Sequence, residues 1–198
     1  MSMVRLKPEW LDVGVELFKV VHGYKMAGVN KDVGSLDYVV EDEEGVKKLL
    51  MVLVDSKYKA SRCDIRKLDK TLEFLEDEDF DEITLVGQDF TSVTESRINR
   101  DDSLDYVSEE SEVFSIMELL SAVQMLTKEL CVNKCGKYPM SSEECAGYED
   151  GKYTCDIRRV SDDSDFHAKM GWSQLLYKDF KNLVQYKRKL MNSKNAKS

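Results

Sequence analysis

The sequence has little proline, little histidine and no long apolar run. Of its 198 residues, two are proline and two are histidine, and the longest apolar run, from Leu49 to Val54, is six residues. A membrane-spanning helix needs about 20 such residues, so we expect no membrane span. The opening MSMVRLKPEW lacks the apolar stretch of a secretory signal. We therefore expect an intracellular protein, cytoplasmic or nuclear, whose five cysteines are reduced unless they bind metal.

The sequence also lacks an overall basic excess, since its formal net charge is −9. That average argues against a nucleic-acid partner, but the charge is unevenly distributed. Residues 73–112 contain fifteen acidic and two basic side chains, a net of −13, whereas residues 57–70 carry +4 and residues 156–198 carry +5. The acidic segment favours a protein partner, and the basic segments leave nucleic acid open.

Hydrophobic periodicity predicts an α/β chain. Helices are expected at 8–21, 64–75, 91–99, 112–130 and 172–191, and strands at 24–30, 35–40, 49–54, 83–86 and 104–107. The fourth helix should turn Phe114, Met117, Leu120 and Val123 inward, and the last helix should do so with Leu175, Leu176, Phe180, Leu183 and Val184. Residues 131–165 are predicted to be mostly loop. We expect a core domain at 8–130, with residues 131–198 packed on it.

The apolar run at 49–54 is followed directly by Asp55, Ser56 and Lys57. Side chains alternate along a strand, so Asp55 and Lys57 should point to one side. Unpaired charges at the end of a buried strand are costly. Either the two form an ion pair, or they hold a ligand such as a metal ion or a phosphate.

The register of the hairpin before this point decides whether Asp37 joins the pair. A two-residue loop at Gly45-Val46 would place Asp37 opposite Val54 and leave Asp55 on the other face. A three-residue loop or one bulge would place Asp37 opposite Asp55. We expect the second arrangement, with Lys57 beside the two carboxylates.

The order helix, strand, strand with Asp, strand with Asp-x-Lys, helix, strand, helix, strand resembles the PD-(D/E)xK nuclease superfamily, in particular its Mrr-like restriction endonuclease domain. The resemblance covers roughly residues 10–120. It rests on Gly23-Tyr24 after the first helix, Asp37 after a glycine, Asp55-Ser-Lys57-Tyr58, Phe90-Thr91 and a strand at 103–107. It implies a restriction-endonuclease-like core, with a central mixed sheet flanked by helices.

The resemblance also implies hydrolysis of DNA phosphodiester bonds. Asp37 and Asp55 would bind Mg²⁺, which lowers the pKa of its bound water, and Lys57 would assist as the third catalytic group. Glu16, or alternatively Asp12, would complete the site. Cleavage of both strands would suit a homodimer. DNA would approach over Lys59, Arg62 and Arg66, with the acidic link at 76–82 on the far side. The alternative is a non-catalytic nuclease-fold scaffold or protein-interaction subunit.

Four cysteines lie within one 25-residue window, at Cys131, Cys135, Cys145 and Cys155. Four thiolates can close a tetrahedral Zn²⁺ site and order a loop that has no core of its own. Free or disulfide-bonded cysteines are the alternative, because the paired spacing C-x2-C is missing. His167 could replace one thiolate. Cys63 stands apart and is expected to be a small buried residue.

Overall fold

A computed structural model describes residues 3–5 and 11–195 of the chain. The chain forms two compact units. The sheet unit spans Arg5–Val113, and the helical unit combines Met1–Val4 with Phe114–Ser198. Among the helices of the described ranges, none has both the length and the apolar character needed to cross a membrane.

The sheet unit follows the predicted order of helices and strands. Its elements are α1 (Leu11–His22), β2 (Lys25–Asn30), β3 (Ser35–Glu41), β4 (Lys47–Leu53), α2 (Ile65–Leu75), β5 (Glu82–Val86), α3 (Ser92–Ile98) and β6 (Leu104–Val107). The side chain of Asp64 caps α2 and that of Thr91 caps α3. The predicted start of the first helix, at residues 8–10, lies outside the described residues.

The central sheet has the strand order β2-β3-β4-β5-β6. Strands β2, β3 and β4 are antiparallel neighbours, and β5 and β6 continue parallel to β4. The expected α/β fold, with a mixed central sheet flanked by helices, is therefore confirmed.

Strand β4 is buried on both of its faces. One face packs against α2, in a cluster that includes Met51 and Leu68. The other face carries Leu50, which pairs with Tyr38 of β3. The centroid of the Tyr38 ring lies 5.8 Å from the Lys19 ammonium of α1. Because a helix covers each face, the sequence of β4 is continuously apolar rather than alternating.

The turn between β3 and β4 is longer than the sequence suggested. The Asp42 side chain accepts hydrogen bonds from the backbone N–H groups of Glu44 and Val46, at 3.0 and 2.9 Å. Five residues, 42–46, connect Glu41 to its partner Lys47. This loop sets the register of the hairpin and corrects the expected loop of two or three residues.

The helical unit is built from three long helices. They are α4 (Ile116–Cys135), α5 (Asp156–Lys169) and α6 (Ser173–Asn195), accompanied by the hairpin of β8 (Tyr148–Glu149) and β9 (Lys152–Tyr153) and by the pair of β1 (Met3–Arg5) and β7 (Glu112–Ser115). Gln124 of α4 bonds Asp165 of α5, and Lys187 of α6 bonds Glu129 of α4. Helix α4 therefore belongs with α5 and α6, whereas the sequence placed it with the sheet.

Four local expectations about this unit differ from the structure. Residues 112–115 form strand β7 because Ser115 and Glu118 make a capping box that starts α4 at Ile116. Val123 of α4 is buried as expected, but the inward face also carries Leu119 and Ala122, and Met117 is 61% exposed. The segment predicted to be loop contains α5 from Asp156 onward. In the last helix Leu176, Phe180, Leu183 and Val184 are buried as expected, but Leu175 is 40% exposed.

Candidate functional site

Asp37 lies in the middle of β3, on the face of the sheet that packs against α2. Its direct partner on β4 is Met51, and the same face of β4 carries Leu49 and Leu53. All three β4 side chains are buried. Asp37 therefore faces an apolar strand where the predicted site required a carboxylate and an ammonium.

A groove of about 580 Å³ opens beside the Asp37 carboxylate. Its apolar walls include Phe74 of α2 and Phe80, while Asp32 and Glu78 add negative charge and Lys31 adds one positive charge. Burial raises the pKa of Asp37; a hydrogen bond from Ser35 Oγ, at 2.7 Å, opposes this, and the charge of Glu78 raises the pKa further. The groove thus combines apolar walls with a half-buried carboxyl group.

The acidic link was expected on the far side of the sheet unit, so that DNA could reach the site. Instead, Glu78 and Phe80 from this link line the same groove as Asp37. The negative charges next to Asp37 repel phosphate at this position. The groove consequently suits a cationic ligand better than a nucleic acid.

Asp55 uses its carboxylate to hold its own turn. One carboxylate oxygen accepts hydrogen bonds from the backbone N–H groups of Lys57 and Lys59, at 2.8 and 3.0 Å. These bonds lower the pKa of Asp55. Tyr58 completes the turn with a φ of 57°, a left-handed conformation that is uncommon for residues other than glycine. The Asp55 side chain is exposed and serves as a local cap.

The expected pairing of Asp37 with Asp55 is therefore wrong. Asp37 stands opposite Met51, and Asp55 follows four residues later (55 − 51 = 4). Four residues of strand extend about 13 Å. Because side chains alternate along a strand, Asp37 and Asp55 would share a face of the sheet if the strand continued to residue 55. The separation along the chain and the turn at Asp55 nevertheless keep the two carboxylates apart. Lys57 lies in that exposed turn, away from Asp37.

Glu16 does not join Asp37 either. It lies on α1, where its carboxylate pairs with Lys19 at 3.1 Å. The charge of Glu16 acts on Tyr38, because burial and then Glu16 raise the pKa of that phenol. Tyr38 is adjacent to Asp37 in β3 and so points to the opposite face of the sheet. The sheet thus separates Glu16 from Asp37. The side chain of Asp12, the alternative, lies outside the described residues.

Sequence reasoning missed Lys67, a half-buried lysine in the first turn of α2. Its ammonium donates to the carbonyl oxygen of Val54 at 3.1 Å and to Ser61 Oγ at 2.6 Å. Burial lowers the pKa of Lys67, and the charges of Cys63 and Asp55 act in the opposite direction. Lys67 therefore ties the end of β4 to the helix that follows. Its position one turn into a helix after a buried strand was the available signal.

The four clustered cysteines occupy the end of α4, the loop after it and the start of α5. Cys131 is buried, Cys135 is exposed, and Cys145 and Cys155 are partly buried. Burial raises the pKa of Cys131 to about 11, Arg158 opposes that change, and the other three cysteines add to it. None of the five cysteines is in a disulfide. Cys63 is fully buried as expected, and burial raises its pKa to about 12.

Within residues 3–5 and 11–195, no group of three or more histidine, cysteine, aspartate or glutamate side chains is placed to hold a metal ion together. The residues predicted for Mg²⁺ and for Zn²⁺ therefore do not form closed ligand sets. His167, the possible substitute ligand, instead approaches Asp179 with its Nδ1 at 2.6 Å, and Ser164 Oγ donates to the same carboxylate at 3.0 Å. Both metals remain predictions from the sequence.

Comparison with known proteins gives little. No protein-family model matches the chain. No curated protein matches it. Among solved structures, the chain is similar to a Cap4 SAVED/CARF-domain-containing receptor from Moraxella osloensis, with 12% sequence identity and a TM-score of 0.34. The alignment covers 89% of this chain and 46% of the receptor chain, so this chain spans less than half of the receptor.

Proposed function

We propose that the sheet unit is a nuclease-like fold that serves as a non-catalytic protein-interaction module. The observation that carries the proposal is the register of β3 and β4, which places Met51 directly opposite Asp37. The neighbouring positions on the same face of β4 are Leu49 and Leu53, at most 3% exposed. These are the positions nearest to Asp37, where a second carboxylate and a lysine would be needed for hydrolysis.

The chemistry of phosphodiester hydrolysis supports the same conclusion. Mg²⁺ binds carboxylate oxygens at 2.0–2.1 Å, so two carboxylates that share one ion must lie within a few ångströms of each other. Asp55 lies four residues beyond Met51, the partner of Asp37, a span of about 13 Å for extended chain. The Asp55 carboxylate is also engaged by two backbone N–H groups.

Plasmid cleavage tests the proposal directly. Supercoiled DNA is incubated with the protein and Mg²⁺ or Mn²⁺, and the wild type is compared with Lys57→Ala and Asp37→Asn. We expect no metal-dependent nicking by the wild type beyond that of the two variants. Nicking by the wild type that both substitutions abolish would overturn the proposal.

A DNA nuclease is the second candidate, favoured by the order of strands and helices and by the basic side chains after β4. Arg62 pairs with Asp89 at 3.4 Å, and Arg66 is exposed on α2. If DNA approaches there, reversing the charge of both arginines should weaken DNA binding and make the remaining affinity less dependent on salt, because fewer counterions are released.

The matched control for DNA binding is charge reversal at Lys187 and Lys189 of α6, which changes the net charge equally. A nuclease predicts a smaller effect there than at Arg62 and Arg66. Light scattering on the same samples tests the expected homodimer. Equal effects of the two pairs would show that DNA responds only to net charge.

A further inference from the structure

The groove beside Asp37 lies next to an outer strand of the sheet. Strand β2 is at one end of the strand order, so one side of its backbone has no neighbouring strand within the described sheet. Such an edge can accept an added strand through backbone hydrogen bonds. The groove includes residues Ala27 to Asp32 of this strand and of the turn after it.

Gly28 leaves the path from this edge to Asp37 open. It is the direct lateral partner of Asp37. A Cβ atom added at Gly28 would meet no other heavy atom within 4 Å, and its φ lies outside the left-handed region. The glycine is therefore not required by the backbone conformation. Its missing side chain instead leaves empty space above the sheet.

We propose that this groove binds an extended, basic segment of a partner protein, which adds to β2 as a further strand; this inference rests on the proposed interaction function. A residue opposite Gly28 would lie two strand spacings from Asp37, about 10 Å. A lysine or arginine there can extend across Gly28 and place its cation at the Asp37 carboxylate.

The charges and walls of the groove specify the sequence of the segment. Asp37, Asp32 and Glu78 are acidic, and the groove contains one basic side chain, Lys31. Because alternate residues of a strand share a face, the residue two positions from the cation on the side of Asn30 also faces the groove, whereas a register shift between Met26 and Gly28 breaks the alternation on the other side. There Phe74 and Phe80 favour apolar partners. The other set of alternate residues points to the opposite face and is unrestricted by this groove.

Fluorescence anisotropy with short labelled peptides tests the inference on the full chain. The probe peptide carries arginine and valine at every second position, so that these side chains share one face of the strand. The control peptide has glutamate in place of arginine. We expect the arginine peptide to bind, the glutamate peptide to bind at least tenfold more weakly, and added salt to weaken the arginine peptide. An arginine peptide N-methylated along its paired edge should lose binding, because it cannot donate strand hydrogen bonds.

Two substitutions locate the site. Gly28→Leu fills the path and should reduce affinity at least tenfold; Asp37→Asn keeps the side-chain shape and should reduce affinity at least fivefold. The control Glu73→Gln changes the net charge equally on an exposed part of α2 and should leave binding unchanged. If Gly28→Leu lowers the midpoint of urea denaturation, its loss of binding could come from unfolding. The test then rests on the affinity of Asp37→Asn alone. Equal binding by wild type and Asp37→Asn, or by the two peptides, would overturn the inference.

The remaining occupants give distinct results. If the N-methylated peptide bound as tightly as the unmethylated one, the groove would be a site for an isolated cation. If the protein were a dimer that Gly28→Leu dissociates, two copies of the chain would pair through β2. Either result would overturn the peptide inference. The cleavage assay separates the two proposals, since DNA cleavage would contradict the non-catalytic function, whereas absence of both cleavage and peptide binding would contradict only this inference.

Discussion

Replacing Gly34 by alanine tests the register on which the proposed function depends. Gly34 precedes β3 with a φ of +78°, and an added Cβ would lie 3.0 Å from the carbonyl oxygen of Val54. The Val54 N–H already donates to the Gly34 carbonyl at 2.8 Å. The left-handed conformation costs alanine about 1–2 kcal/mol, and crowding against rigid backbone adds about 1 kcal/mol or more. We expect Gly34→Ala to lower the free energy of unfolding by about 2–3 kcal/mol.

Two other glycines of the same hairpins provide matched controls. Gly45 has a φ of +82°, but its added Cβ would meet only the end of the flexible Glu41 side chain, at 4.0 Å. Gly45→Ala should therefore cost only the conformational strain, about 1–2 kcal/mol. Gly28→Ala meets no contact and no strain, and should be neutral or stabilising by about 0.5 kcal/mol.

Urea denaturation followed by circular dichroism measures the three variants, and hydrogen exchange of the Val54 amide reports the local contact. If Asp37 stood opposite Asp55, the register would shift by four residues and Gly34 would lie opposite residue 58 instead of Val54. Gly34→Ala would then behave like Gly45→Ala. That equality, together with unchanged exchange at Val54, would refute the register and reopen the nuclease hypothesis.

Three further predictions concern charge and metal. Burial raises the pKa of Asp37 above its usual value of 3.8. The free energy of unfolding should therefore fall as the pH rises from about 3.8 through the folded-state pKa. Asp37→Asn should remove this fall, which is measured by comparing urea denaturation of the variant and the wild type across pH. Asp179→Ala removes the partner of the His167 ring nitrogen, while Ser164 keeps its bond to the Val160 carbonyl at 2.6 Å; the variant should destabilise the protein by about 1–2 kcal/mol in urea, whereas the exposed Asp163→Ala should not. Metal analysis of protein purified without chelator tests the zinc prediction for Cys131, Cys135, Cys145 and Cys155: about one sulfur-bound zinc per chain would support it, and its absence would remove it.

The order of elements in the sheet unit could be predicted because each signal was local. Apolar runs marked β4 and β5, and the caps at Asp64 and Thr91 marked the helix starts. The phase of α4 was not predictable in the same way. Its helix begins after the Ser115 capping box, so Phe114, which was counted as the first residue of the inward stripe, lies in β7, and a stripe stepped from it by three residues reaches the exposed Met117.

The candidate site failed on contacts that periodicity does not encode. The loop length depends on Asp42 accepting two backbone hydrogen bonds, which makes the turn five residues long. Asp55 was expected to face a ligand, but its side chain satisfies the N–H groups of Lys57 and Lys59 instead. Aspartate is common in turns for this reason, so an Asp-x-Lys sequence at a strand end cannot by itself distinguish a catalytic site from a capped turn.

The division of the chain has a consequence for how the protein is assembled. The helical unit takes residues from before and after the sheet unit, so the sheet unit is an insertion with both ends tethered. Bringing the two ends of an open loop of about 110 residues together costs about 4 kcal/mol in chain entropy. A folded insertion already fixes its own ends and removes much of that cost. Folding of residues 5–113 should therefore precede pairing of β1 with β7, and separate expression of residues 114–198 would lose β1 and the first two residues of β7.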